Sequence, residues 1–233
     1  MRILLWDIDG TLVRPARQGS FRDYMTPALL RVFGTAGRLG EVNASGMTDL
    51  QIAGEALRDA GYTHEQVRER AGELCGLYFE ELERLTRGGG AYHALPGARE
   101  ALEAVAKSGR YLSSLLTGNV ERAAYLKLKH VGLDGFFRLP GAFGEDSHDR
   151  RDLPALAAER INRRLNLDLP PEHFIVIGDT PNDIACAKHF GARCIAVATG
   201  RSHTPEDLAP HGPDAILPDL TDPARLLRVL DSL

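Results

Sequence analysis

Ile3-Leu4-Leu5-Trp6-Asp7-Ile8-Asp9-Gly10-Thr11 sets four apolar residues before two acids at i and i+2 and an Asp-Gly turn. A short, unbroken apolar run suits a strand buried on both faces, and the Asp-Gly pair supplies turn chemistry directly after it. Residues 111–116, 174–177 and 194–197 repeat this shape, each followed by small, polar or turn-forming residues. Helical patterns occupy 98–108, 120–130, 153–165 and 183–190, three of them halting at Gly109, Gly132 and Gly191. Strands alternating with helices that stop at glycine predict an α/β fold with a doubly wound, Rossmann-like parallel sheet. Residues 215–217 and 220–233 read as an edge strand and a closing helix.

The stretch from 21 to 87 breaks the alternation. It carries no convincing strand, while 50–60 and 64–87 place apolar residues at helical spacing among many Glu and Arg. This is the pattern of a helical insert. Gly88-Gly89-Gly90 closes it with conformational freedom that a packed element avoids. The expected division is an α/β core of residues 1–16 and 90–233, with the insert at 17–89 and hinges at 15–19 and 88–90.

Lys plus Arg is 28 and Asp plus Glu is 32, a net charge of −4, so there is no basic footprint for nucleic acid. With 43% apolar and 26% charged residues the composition is that of an ordinary globular protein. No apolar run approaches the roughly 20 residues that span a bilayer, so no membrane partner is expected. Cys75, Cys186 and Cys194 form neither a disulfide framework nor a C-x-x-C site, and a cytoplasmic location is expected. Nothing in the sequence speaks to oligomeric state.

In open parallel sheets ligands bind beyond the carboxyl ends of the strands, where Asp7 and Asp9 stand. Gly178-Asp179-Thr180-Pro181-Asn182-Asp183 repeats the arrangement at the end of another strand. If the two strands are neighbours the carboxylates converge, and their repulsion calls for a hard cation such as Mg²⁺. Thr117-Gly118-Asn119, at a strand end before a helix, offers a hydroxyl and backbone N–H groups to an anion such as phosphate. Asp149-Arg150-Arg151-Asp152 supplies two cations for the remaining charge, Arg150 ranking first by position. Asp179 also reads as a helix N-cap, and Asp183 as a first-turn acid favoured by the helix dipole.

Together these motifs resemble the haloacid dehalogenase-like hydrolase superfamily, and within it the phosphoglycolate phosphatase-like branch whose helical cap follows the first motif. Asp7, Asp9, Gly10 and Thr11 match its D-x-D-G-T motif, Thr117 its strand-terminal Thr or Ser, and Gly178, Asp179 and Asp183 its G-D-x-x-x-D. Gly46-Met47-Thr48-Asp49-Leu50-Gln51-Ile52 is similar to the G-x-T-D-x-x-I stretch of capped relatives. The family's usual Lys-Pro is missing, since no Lys lies between Lys129 and Lys188, and Arg150 is the stand-in with Arg151 second.

The resemblance implies a phosphatase hydrolysing a small phosphomonoester, with Asp7 as nucleophile forming an aspartyl-phosphate and Asp9 as general acid and base. It implies Mg²⁺ on Asp7, the Asp9 carbonyl and Asp179, with Asp183 supporting. Thr117, Gly118, Asn119 and Arg150 would hold the phosphoryl oxygens. The partner is then a small phosphorylated metabolite such as phosphoglycolate, a nucleotide or a sugar phosphate. A phosphomutase of the same superfamily, a dehalogenase, and a non-catalytic binding module on the same scaffold are the alternatives.

Overall fold

β1 (Arg2–Trp6) sends Leu4 and Trp6 into one hydrophobic core and Ile3 and Leu5 into another, so both of its faces are buried as the unbroken apolar run requires. The computed structural model describes residues 1–16 and 20–233. After β2 (Val13–Pro15) come four helices, α1 (Phe21–Phe33), α2 (Asp49–Leu57), α3 (His64–Glu69) and α4 (Ala71–Thr86). The chain then alternates through β3 (Tyr92–Ala94), α5 (Ala98–Ser108), β4 (Tyr111–Leu115), α6 (Glu121–His130), α7 (Leu153–Leu165), β5 (Phe174–Gly178) and α8 (Pro181–Phe190). It ends in β6 (Arg193–Val197), α9 (Pro205–Leu208), β7 (Ala215–Leu217) and α10 (Pro223–Ser232).

The main sheet runs β4-β1-β5-β6-β7 with every pairing parallel. Apolar residues of α5, α6 and α10 cover one face, and those of α7, α8 and α9 cover the other. This is the doubly wound α/β architecture expected from the alternation, with 215–217 as the edge strand. β1 lies between β4 and β5, and its last residue, Trp6, stands opposite Leu115 of β4 and Ile177 of β5. The three strand ends that carry Asp7, Thr117 and Asp179 are therefore side by side.

α1 to α4 build a third core, including Met25, Leu29, Leu57, Leu74 and Leu82, which extends onto Val120 and Ala123 at the start of α6. The insert thus packs onto the main unit beside the Thr117 strand end. Two features differ from the sequence reading. The helix expected over 64–87 is broken at Arg70, whose backbone leaves helical geometry while its guanidinium reaches the Val32 carbonyl and Glu73. That break lets α3 fold back on α2 while α4 lies along α1. The second is a small antiparallel pair, β2 with β3, that ties the two ends of the insert together. Three-residue strands are too short to produce a readable alternation. Part of the hinge expected at 15–19, residues 17–19, lies outside the described residues, as does the expected boundary at 17. Among the described residues no helix is long and apolar enough to cross a membrane.

Because Leu5 is fully buried at the centre of the sheet, Leu5→Ala is expected to cost about 2–5 kcal/mol, read as a lower denaturation midpoint in urea.

Candidate active site

Asp7 follows β1 directly, its backbone N–H donating to the Ile177 carbonyl at 2.9 Å, which pins it beside β5. Asp179 follows β5, and Asp183 lies in the first turn of α8, where its Oδ2 accepts from the backbone N–H and hydroxyl of Thr180. The structure brings together one carboxylate oxygen each from Asp7, Asp179 and Asp183, all within 4.8 Å of one another and all buried. Gly10 makes this possible. Its φ is +91°, and a Cβ there would stand 2.4 Å from an Asp179 carboxylate oxygen.

The two arginines separate cleanly. Arg150 is buried and donates from one terminal nitrogen to Asp7 Oδ1 at 2.8 Å and to Asp183 Oδ1. Arg151 is at the surface and pairs with its neighbour Asp149. One guanidinium thus faces the acid cluster, and its Nε is buried with no hydrogen-bond partner among the described residues. Such an orphan donor is costly unless an anion accepts from it.

Thr117 is fully buried, and its Oγ1 accepts from Asn119 Nδ2 at 2.8 Å. Asn119 Nδ2 also donates to Asp9 Oδ2 at 2.7 Å. Asp9 is turned toward a residue that the sequence reading did not select. Lys127, on α6, donates to Asp9 Oδ2 at 2.7 Å and to Asn119 Oδ1, and its ammonium lies 5.7 and 5.5 Å from the ring centres of Tyr24 and Tyr92. The signal was present in the helical pattern: Ala123, Ala124, Lys127 and Leu128 form the buried stripe of α6. A lysine on an apolar stripe asks for a buried partner. A cavity of about 210 Å³ takes in Asp7, Asp9, Thr117, Gly118, Asn119 and Arg150. Phe21, Met47, Asp49 and Ile52 from the insert, together with Lys127, also line it.

Burial pushes the Asp7 carboxyl up to about 7; Arg150 pulls it down and Asp183 adds to the rise. Burial, and then the charge of Asp7, raise Asp179 well above the usual carboxylate range. Lys127 stays charged although burial opposes it, because Asp9 and the nearby tyrosines favour the ammonium. Crowded acids with a single guanidinium, offering only oxygen, match a hard divalent cation sharing its sphere with phosphate oxygens. The residues present therefore fit such an ion.

A family model described as HAD-hydrolase-like matches residues 151–223. A phosphoglycolate phosphatase of Pseudomonas fluorescens is 24% identical over an alignment covering 100% of this chain and 84% of the relative. The solved structure of a hydrolase from Pseudomonas syringae is 24% identical with a TM-score of 0.68, covering 100% of this chain and 99% of that one. A putative beta-phosphoglucomutase from Thermotoga maritima is 21% identical with a TM-score of 0.57, both chains being covered in full. In its strand-end motifs, its sheet order and the match over residues 151–223 the chain is similar to haloacid dehalogenase-like hydrolases. Its curated relatives are phosphoglycolate phosphatases, and in this chain helices follow the first of the strand-end motifs.

The raised Asp7 and Asp179 carboxyls have a consequence for stability. An acid whose folded pKa is raised penalises the fold wherever the unfolded chain is ionised and the folded one resists ionising. For Asp7 the penalty is complete above about pH 7 and fades as pH falls toward the ordinary value of 3.8, and Asp179, raised in the same direction, follows the same sign. Asp179→Asn is therefore expected to stabilise the protein in EDTA at pH 7.5, and by much less at pH 4.5. Chemical denaturation at the two pH values reads the difference, and equal effects would refute it.

Proposed function

We propose that this phosphatase hydrolyses a small phosphomonoester through an aspartyl-phosphate on Asp7 and depends on Mg²⁺. The observation that carries the reading is the meeting of three buried carboxylates with Arg150, two members of which, Asp7 and Arg150, line a cavity together with Thr117, Gly118 and Asn119. Held by Asp7, the Asp9 carbonyl and Asp179, Mg²⁺ would supply positive charge between the nucleophile and the phosphoryl oxygens. Asp183 stands behind them, since one of its oxygens is taken by Arg150 and the other by Thr180.

Asp7 attacks phosphorus, the bond to the leaving oxygen breaks, and Asp9 gives that oxygen a proton. Water then attacks the acyl phosphate while Asp9 takes its proton, so phosphate leaves and both acids return to their starting state. Arg150, the Thr117 hydroxyl and the backbone N–H groups of Gly118 and Asn119 hold the equatorial oxygens. Residues 17–89 serve as a cap that screens the reaction from water and selects the leaving group, which the apolar wall of Phe21, Met47 and Ile52 supports. Phosphoglycolate is the first substrate to try, because the curated relatives carry that name and the cavity is small. Three free cysteines, two of them buried, support a cytoplasmic location.

Phosphate release from a panel of phosphometabolites tests the assignment. Activity is expected with Mg²⁺, none in EDTA, and recovery when Mg²⁺ is restored; Asp7→Asn should lower kcat by at least about 10³-fold. A variant that keeps full activity refutes the nucleophile, and transfer of the phosphoryl group to a sugar phosphate instead of water assigns a mutase. The two arginines provide a matched pair: Arg150→Met is expected to lower kcat/KM by about 10²–10³-fold and Arg151→Met by less than about twofold, both read with an aryl phosphate.

A further inference from the structure

The Thr48-Asp49 pair has no part in the chemistry above, yet it joins the insert to the phosphate loop at two points. α6 begins without a side-chain cap: its N-cap is Val120, an apolar residue. The first N–H groups of a helix need acceptors from outside it. Asp49, the first residue of α2, supplies one, its Oδ2 accepting from the Val120 N–H at 3.0 Å. In return the Asp49 backbone N–H, itself an unpaired group at the start of α2, donates to the Gly118 carbonyl at 2.8 Å. Two helix N-termini thus meet around one carboxylate, which favours the position because both dipole ends are positive.

The approach is backbone to backbone. A Cβ on Gly118 would stand 2.0 Å from the Met47 carbonyl oxygen, and one on Gly144 would stand 1.8 Å from the Gly118 carbonyl oxygen. The Gly144 N–H in turn donates to the Asn119 carbonyl at 2.8 Å. Adjacent residues of the same segment bond to the other loops of the site. Thr48 Oγ1 donates to the His148 carbonyl, two residues before Arg150, at 3.2 Å, and Asn182 Nδ2 donates to the Ser45 carbonyl at 2.9 Å. One five-residue stretch, 45–49, therefore touches three of the four loops that carry site residues, all but the one that follows β1.

We propose that Asp49 is a positioning residue: its two-point clamp on Gly118 and Val120 sets the phosphate-binding loop 117–119 and makes seating of the insert a condition for tight phosphate binding. The role rests on the phosphate site assigned above. Asp49 touches neither phosphate nor nucleophile in this scheme; it acts through the loop. An acceptor at this position is what matters, so an amide oxygen serves nearly as well as a carboxylate.

Inorganic phosphate binding by the full chain with saturating Mg²⁺, measured by calorimetry, is the primary test. Asp49→Ala is expected to weaken phosphate at least about tenfold and to raise KM for an aryl phosphate in step, with kcat changed less than about threefold, while Asp49→Asn stays within about threefold of the parent. Asp222→Ala removes the cap of α10, whose side chain accepts from the Arg225 N–H at 2.8 Å, and serves as a purely structural comparator with unchanged phosphate affinity. Hydrogen exchange on the unaltered protein needs no variant: the Val120 amide is expected to exchange more slowly than the Asn119 amide. A folded Asp49→Ala with parental phosphate affinity, an Asn variant as weak as the Ala variant, or a fast Val120 amide would each overturn the role. Binding and exchange are read without turnover, so a chain that shows them but hydrolyses no phosphomonoester would remove the activity assignment and leave the clamp standing.

Discussion

Repulsion among three carboxylates buried in one pocket is the constraint on which the rest of the structure depends. Asp7, Asp179 and Asp183 come within 4.8 Å of one another out of contact with bulk water, where like charges are poorly screened. A single buried guanidinium, Arg150, bonds to Asp7 and Asp183 and offsets only part of that charge. The remainder fits a cation, which in the proposed scheme would share its sphere with phosphate oxygens. The conflict is held in place by the sheet: β1 lies between β4 and β5, and its neighbours cannot separate without breaking the parallel ladder on both sides.

A second buried charge system sits beside the first and is arranged differently. Lys127 is matched by Asp9 and the Asn119 carbonyl oxygen, with Tyr24 of the insert and Tyr92 at its far root close to the ammonium. This pairing sets the direction of the Asp9 side chain, and so where the general acid of the scheme stands relative to the nucleophile. It also draws residues from the core and the insert into one network. Breaking one member would leave a buried charge without its partner, which costs more than the pair itself contributes.

The insert is joined to the core through backbone groups as well as through side chains. Glycines at 118 and 144 allow chain segments to touch where any larger residue would force them apart. Hydrogen bonds then join residues 45–49 to the loops that carry Thr117, Arg150 and Asp183. The apolar core of α1 to α4 continues onto Val120 and Ala123, so the start of α6 belongs to both units. Placement of the loop 117–119 and seating of the insert are consequently parts of one packing arrangement.

Much of this was legible in the linear chain. Unbroken apolar runs such as Ile3-Leu4-Leu5-Trp6 suit strands covered on both faces, and glycines at 109, 132 and 191 mark helix ends, so the α/β alternation followed from local physics. The acids at strand ends announced a rim of charge for the same reason. Three-residue strands β2 and β3 carry too little pattern to read, and the interruption at Arg70 arises from a carbonyl on a different helix. Lys127 against Asp9, Arg150 over Arg151, and Asp49 beneath Val120 join residues 118, 143 and 71 positions apart, or choose between adjacent ones. Periodicity and turn chemistry describe what a residue does to its own segment. Which distant partner meets a buried charge is decided only when the sheet order and the packing of the insert bring them within hydrogen-bonding reach.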